Sequence, residues 1–180
     1  GQIGADGATY KALEFGGEGI SQLTISDRLT IANMAVEAGA KVGIFASDEI
    51  THTYLKEQGR GKDYQSISAD ADAVYERTIS IDLSKLEPMV SQPHTVDNTI
   101  PAKELAGTKI QQVLIGTCTN GRLEDLKITA QILKGKKRHP QTRLVITPAS
   151  RRILMDAIKA GYIETLIEAG AVIMPPGCGA

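Results

Sequence analysis

Two cysteines stand in surroundings that point to chemistry. Cys118 lies in Val113-Leu-Ile-Gly-Thr-Cys118-Thr-Asn-Gly-Arg122. The apolar run from Val113 to Ile115 breaks at Gly116, and a helical pattern begins near Leu123. This predicts a buried strand, a tight turn and a helix start, with the thiol at the turn. Backbone N–H groups and the helix dipole at such a place favour a thiolate. Asn120 is the expected N-cap, with Glu124 and Asp125 suited to the first turn. Cys178 follows a second apolar run, Ala171 to Met174, in Met174-Pro-Pro-Gly-Cys178-Gly-Ala180. Ligands of open α/β sheets gather at the carboxyl ends of strands, so two cysteines placed alike could converge there. Asn33 and Glu37, four apart, share one helix face. From spacing alone they read as a solvated polar edge. His94 near Asp97 reads as a loop histidine with local hydrogen bonds, and His52 as an exposed helical one.

These side chains need elements to hold them. From Lys109 onward the pattern alternates strand and helix: strand 109–115, helix 121–134, strand 142–147, helices 150–160 and 162–169, strand 171–174. Such alternation predicts a parallel sheet with right-handed crossovers, with Ser150 as an N-cap. Further upstream, residues 8–15 suggest a short helix with Tyr10, Leu13 and Phe15 inward. Gly16, Gly17 and Gly19 read as a plain turn, because their spacing fits no phosphate loop. A helix over 26–39 is capped by Ser26 or Asp27 and buries Leu29, Ala32, Ala35 or Val36, and Gly39. A strand over 41–45 and a helix over 48–58, capped by Ser47 or Asp48, follow. Residues 77–83 alternate as a half-buried strand. Three prolines and polar sequence make 84–107 a connector between an α/β subdomain over 1–83 and a second over 108–180.

Composition narrows the classes. A net charge of −1 implies no strong field for nucleic acid or membrane. No run approaches the roughly 18 apolar residues of a membrane span. Two cysteines make no disulfide framework, so a cytoplasmic, reducing setting is expected. The basic run Lys134 to His139 reads as a solvated helix end, with no aromatic residue beside it to stack on bases.

The segments Ile115-Gly-Thr-Cys118-Thr-Asn-Gly-Arg122 and Pro176-Gly-Cys178-Gly179, together with Ala32-Asn33-Met34-Ala-Val-Glu37-Ala-Gly39-Ala-Lys-Val-Gly43, resemble the aconitase family of iron–sulfur dehydratases. The wording is nearest to the large subunits of isopropylmalate and homoaconitate enzymes. The resemblance implies α/β/α three-layer subdomains, mainly parallel, and a 4Fe-4S cluster with Cys118 and Cys178 as two of three ligands. A third cysteine would fall just after Ala180, so the sequence is expected to be an internal piece of a longer enzyme. The resemblance also assigns Asn33 and Glu37 to the active-site network. The implied reaction dehydrates and rehydrates a small hydroxy di- or tricarboxylic acid, 2-isopropylmalate in leucine biosynthesis or homocitrate-type acids in lysine biosynthesis. The implied partner is a small subunit carrying a swivelling domain. The 180 residues alone are expected to hold no stable cluster, to be inactive, to leave 116–121 and 175–180 partly disordered, and to self-associate through apolar surface. Two other classes stay open: a scaffold or redox domain with a Cys118–Cys178 disulfide, and an RNA-binding protein.

Overall fold

Parallel strands need a crossover between them, and the chain supplies helices for this purpose in both halves. In the computed structural model, which describes residues 1–179, the chain divides into two units, Gly1–Ala106 and Gly107–Ala180. The sheets are parallel and antiparallel, flanked by helices, in keeping with the expected α/β/α class.

In the first unit β1 (Ala12–Phe15) pairs in parallel with β2 (Val42–Phe45), from Ala12 opposite Val42 to Phe15 opposite Phe45. The two phenylalanine rings stack with centroids 4.9 Å apart. The crossover contains α1 (Ile25–Met34), followed by a 3₁₀ turn, Ala35–Ala38. The helix expected over 8–15 is therefore a strand from Ala12. Its exposure alternates residue by residue, and pairing with β2 overrides local helical preference. Tyr10, expected inward, is 80% exposed, with the Lys41 ammonium 4.1 Å from its ring centre.

Helix α1 is capped by Thr24, ahead of the expected Ser26 or Asp27. Thr24 Oγ1 accepts from the Asp27 N–H, and the Asp27 carboxylate accepts from the Thr24 N–H. This reciprocal pair satisfies two orphan donors where Ser26 would satisfy one. Close packing of small residues is present: a Cβ on Gly43 would come within 2.9 Å of the Ala32 Cα and 3.0 Å of the Ala35 Cβ. The buried stripe differs from expectation, since Leu29 is partly exposed and Arg28 is buried instead. Arg28 forms a two-pronged ion pair with Asp48, both contacts 2.8 Å, and donates to the Ile20 carbonyl. Asp48 also caps α2 (Glu49–Glu57) by accepting from the Thr51 N–H. The guanidinium holds the Asp48 carboxyl below its ordinary pKa.

The strand expected over 77–83 does not form; residues 83–85 make a 3₁₀ turn and Ile79 and Ile81 remain exposed. Alternation alone did not supply a pairing partner. Residues 84–107, expected as a connector, contain an antiparallel pair, β3 (Met89–Ser91) and β4 (Thr99–Pro101).

In the second unit β5 (Gln112–Gly116), β6 (Arg143–Thr147) and β7 (Val172–Ile173) form a parallel sheet with β6 in the centre. A single helical turn, α3 (Thr117–Asn120), and α4 (Leu123–Leu133) lead from β5 to β6. Helices α5 (Arg151–Lys159) and α6 (Tyr162–Glu168) lead from β6 to β7. One core joins Leu126 and Ala130 of α4, Ala157 of α5, Ile163 and Leu166 of α6, and Leu144 and Ile146 of β6. Val113, Ile115 and Ile173 pack against it, so alternate residues of all three strands face these helices. Ser150 caps α5 as expected, accepting from the Ile153 N–H.

Two cations of the basic segment after α4 are committed to backbone. Lys137 Nζ donates to the Glu168 carbonyl, and Arg138 donates to the carbonyls of Gly170, His139, Pro140 and Thr142.

Candidate functional site

Strand direction decides where the thiols fall. Cys118 leaves the carboxyl end of β5 in α3, and Cys178 follows the carboxyl end of β7. Strand β6 lies between them, and its own carboxyl-end turn, Thr147–Ala149, reaches both cysteine segments. The Ala149 N–H donates to the Gly121 carbonyl at 2.9 Å, and the Gly177 N–H to the Pro148 carbonyl at 3.0 Å. Below that, the Met174 N–H donates to the Ile146 carbonyl at 2.8 Å. Thr147 and Pro148 are fully buried.

Close approach to this turn explains two glycines. A Cβ on Gly121 would stand 2.5 Å from the Thr147 carbonyl oxygen, and one on Gly116 only 2.3 Å from it. Gly116 also has φ 151°, a conformation L side chains rarely adopt. The loops meet directly as well: a Cβ on Gly179 would lie 2.7 Å from the Thr117 Cγ2.

The result is a thiol pair. Cys118 Sγ and Cys178 Sγ are 3.7 Å apart, across sixty positions of sequence, with no disulfide between them. Cys118 is half-buried and Cys178 exposed. The Cys178 pKa is raised above the usual thiol value by its hydrogen bond with Cys118, then by the Cys118 charge and by burial. Cys118 sits within the separate turn α3, ahead of α4, and its sulfur opposes ionisation of Cys178.

The cysteine turn is held by Arg122, whose backbone, not Asn120, occupies the cap position of α4. Its Nη2 donates to the Cys118 carbonyl at 2.9 Å and its Nη1 to the Thr119 carbonyl. The Asp125 carboxylate accepts from the Arg122 N–H at 3.0 Å and from Asn120 Nδ2 at 3.4 Å. Asn120 thus lies within the turn, tied to the helix by its amide. Sequence reasoning singled out neither Arg122 nor the Thr147–Ala149 turn as supports. The close glycines 116 and 121 were the available signal.

Asn33 and Glu37 belong to the first unit, both exposed. Asn33 is in the last turn of α1, while Glu37 is in the 3₁₀ turn, so they do not share one uninterrupted α-helical face. Glu37 lines a cleft with Met34, Ile81, Lys85, Met89 and Asp97. His94 lies in the loop after β3, and the His52 ring lies tilted against Tyr64, centroids 4.7 Å apart, with its Nδ1 3.4 Å from a Glu49 carboxylate oxygen. Among the described residues no group of three or more His, Cys, Asp or Glu is placed to hold a metal ion. None of their helices is long and apolar enough to cross a membrane.

A parallel α/β unit with paired thiols at its strand ends defines an open α/β class, whose ligands gather at the carboxyl ends of the strands. Comparison with known proteins makes the assignment narrower. The model of the aconitase family (aconitate hydratase) matches residues 1–180, and the chain belongs to that family. It is 60% identical over 179 residues to the 3-isopropylmalate dehydratase large subunit of Elusimicrobium minutum, covering 99% of this chain and 43% of that protein. It is 54% identical to large subunit 2 of the same enzyme from Archaeoglobus fulgidus, over 99% of this chain and 43% of the relative. It is also 54% identical to large subunit 1 from Thermotoga maritima, over 98% of this chain and 43% of the relative. The chain therefore spans less than half the length of these relatives.

Thiolate donors suit iron–sulfur ligation, and Cys178 is accessible for it. The separation fits less well. Thiolates on different irons of one cluster stand farther apart than 3.7 Å, so the pair would have to open to take such a group.

Proposed function

We propose that this chain is part of the large subunit of a hydro-lyase that isomerises 2-isopropylmalate by dehydration and rehydration in leucine biosynthesis. The observation that carries this reading is the convergence of Cys118 and Cys178 at the ends of parallel strands, in a chain so similar to 3-isopropylmalate dehydratase large subunits. A 4Fe-4S cluster, when bound, supplies a Lewis acid that stabilises departing hydroxide. Cys118 and Cys178 are two of its ligands in this reading. The Thr147–Ala149 turn and Arg122 hold the backbone that presents them. Glu37, exposed beside Lys85 in its cleft, accepts hydrogen bonds from substrate or water, and Asn33 orients a polar neighbour by its amide. The partner is the dehydratase small subunit, and the setting is cytoplasmic.

The test uses the whole enzyme with its small subunit. Conversion of 2-isopropylmalate is followed by the absorbance of the unsaturated intermediate, with homocitrate run in parallel. Cys118→Ser and Cys178→Ser should each abolish turnover, and Glu37→Gln, which removes a charged hydrogen-bond acceptor worth about 1.5–3 kcal/mol, should lower kcat/KM by about 10–100-fold. Faster turnover of homocitrate moves the assignment to the homoaconitate branch. Full activity in Cys118→Ser sinks the cluster reading.

A second reading has one observation in its favour. Sulfurs 3.7 Å apart can close to a disulfide with small side-chain rotations. In that case thiol titration without reductant finds none of the two thiols.

A further inference from the structure

The cleft that Glu37 lines has a volume of about 560 Å³, in the range of small-molecule sites, and lies within the first unit. Its walls are largely apolar. Met34 comes from α1, Ile81 and Leu86 from either side of the 83–85 turn, Met89 from β3 and Val96 from the loop after it. Each of the five is between 40% and 63% exposed, so apolar surface from separate stretches of chain is gathered where a ligand can cover it.

The charged lining is acidic. Three carboxylates, Glu37, Glu87 and Asp97, accompany one ammonium, Lys85. Most of these are already engaged. Lys85 lies 3.3 Å from Asp82, Glu87 pairs with Lys103 at 2.7 Å, and Asp97 accepts from the Ala5 N–H at 3.1 Å. A substrate carboxylate placed here would meet like charge, and the one cation that lines the cleft is already shared with Asp82. It would lose hydration without an equivalent partner. The arm that fits these walls is uncharged and apolar.

We propose that this cleft receives the alkyl branch of the substrate and rejects acids that carry a third carboxylate on that arm. Met34, Ile81, Met89 and Val96 are the specificity-determining residues. The inference rests on the proposed function, which sets Glu37 against the substrate, and adds the end of the molecule that is recognised there. A single methylene held by an apolar wall is worth about 10–200-fold in discrimination, so a branched alkyl group offers ample room for selection.

The test uses the whole enzyme with its small subunit and compares kcat/KM for 2-isopropylmalate, 2-methylmalate and homocitrate. Ratios between substrates cancel losses in folded or active protein. The native enzyme should prefer 2-isopropylmalate to 2-methylmalate by at least about tenfold. Ile81→Ala and Val96→Ala, at exposed positions outside strands and helices, should each cut that preference at least about threefold, with 2-methylmalate itself little changed. Val96→Lys, which sets a cation in the wall, should raise homocitrate relative to 2-isopropylmalate by at least about tenfold. Isopropylsuccinate and methylsuccinate lack the hydroxyl and do not react, so calorimetry with them reads the same preference as affinity. That gap should narrow in Val96→Ala. A native enzyme that does not discriminate between alkyl groups, or ratios that stay the same in all three variants while 2-isopropylmalate is turned over, overturn this inference and leave the proposed function standing. Faster native turnover of homocitrate overturns it as well. No native turnover of 2-isopropylmalate sinks the proposed function, and this inference with it.

Discussion

Asp48→Asn should destabilise the first unit more than Arg28→Met, although both break the same ion pair. The asymmetry comes from burial. The Arg28 side chain is 3% exposed and that of Asp48 is 40% exposed. Removing the carboxylate charge strands a buried guanidinium, which costs about 3–5 kcal/mol for a fully buried pair. Partial exposure of Asp48 puts the expectation at the lower end, about 3 kcal/mol. Removing Arg28 instead leaves a carboxylate that water reaches. It also removes a guanidinium whose Nε has no hydrogen-bond partner, and Met fills much of the same volume. The remaining loss is the bond to the Ile20 carbonyl, about 1 kcal/mol. Asp48→Asn keeps a side-chain oxygen for the Thr51 N–H, so loss of the α2 cap does not confound the comparison. Urea unfolding followed by tyrosine fluorescence is the assay. There is no tryptophan, and Tyr10, Tyr54, Tyr64 and Tyr75 all lie in the first unit. With an m-value of about 2 kcal/mol/M, Asp48→Asn should lower the midpoint by about 1.5 M and Arg28→Met by about 0.5 M. Equal shifts, or a larger one for Arg28→Met, refute the reasoning. The outcome bears on function because this pair ties α1, which carries Asn33, to the start of α2.

The same pair gives a pH dependence. The folded pKa of Asp48 is lowered, so its stabilisation is complete above the unfolded value near 4 and is lost as pH falls through the lower folded value. Unfolding midpoints between pH 2 and 5 should fall more steeply in the native chain than in Arg28→Met, which keeps only the Thr51 hydrogen bonds to Asp48. Leu126→Ala empties a fully buried position in the second core and should cost about 2–5 kcal/mol by thermal or urea unfolding. Arg122→Ala frees the carbonyls of Cys118 and Thr119, and hydrogen exchange should quicken at residues 117–121 while that of α5 stays unchanged.

The second unit was the more legible in sequence. Its apolar runs end at Gly116, Thr147 and Met174, and Ser150 is a local cap, so strand and helix positions follow from short-range signals. The first unit hid more. Residues 12–15 become a strand only because β2 lies beside them, and 77–83 carry the right alternation without a partner. The Thr24 cap was readable as Thr-x-x-Asp but competed with Ser26 and Asp27 nearby. Convergence of the thiols followed from two similar strand ends. Their spacing did not, because it depends on hydrogen bonds from Thr147–Ala149 to segments roughly 30 residues away in each direction. Burial of Arg28 was likewise invisible, since its partner is twenty positions on.

The most direct test of the cysteine site is iron and acid-labile sulfide content after anaerobic reconstitution. It is made on this chain and on one extended to the length of its relatives. The account predicts about four irons and four sulfides per molecule in the longer chain. Cys118→Ser and Cys178→Ser should each remove them, and the 180 residues alone should take up no stable cluster. A longer chain that binds no iron, or one that keeps its full cluster in Cys118→Ser, would contradict it.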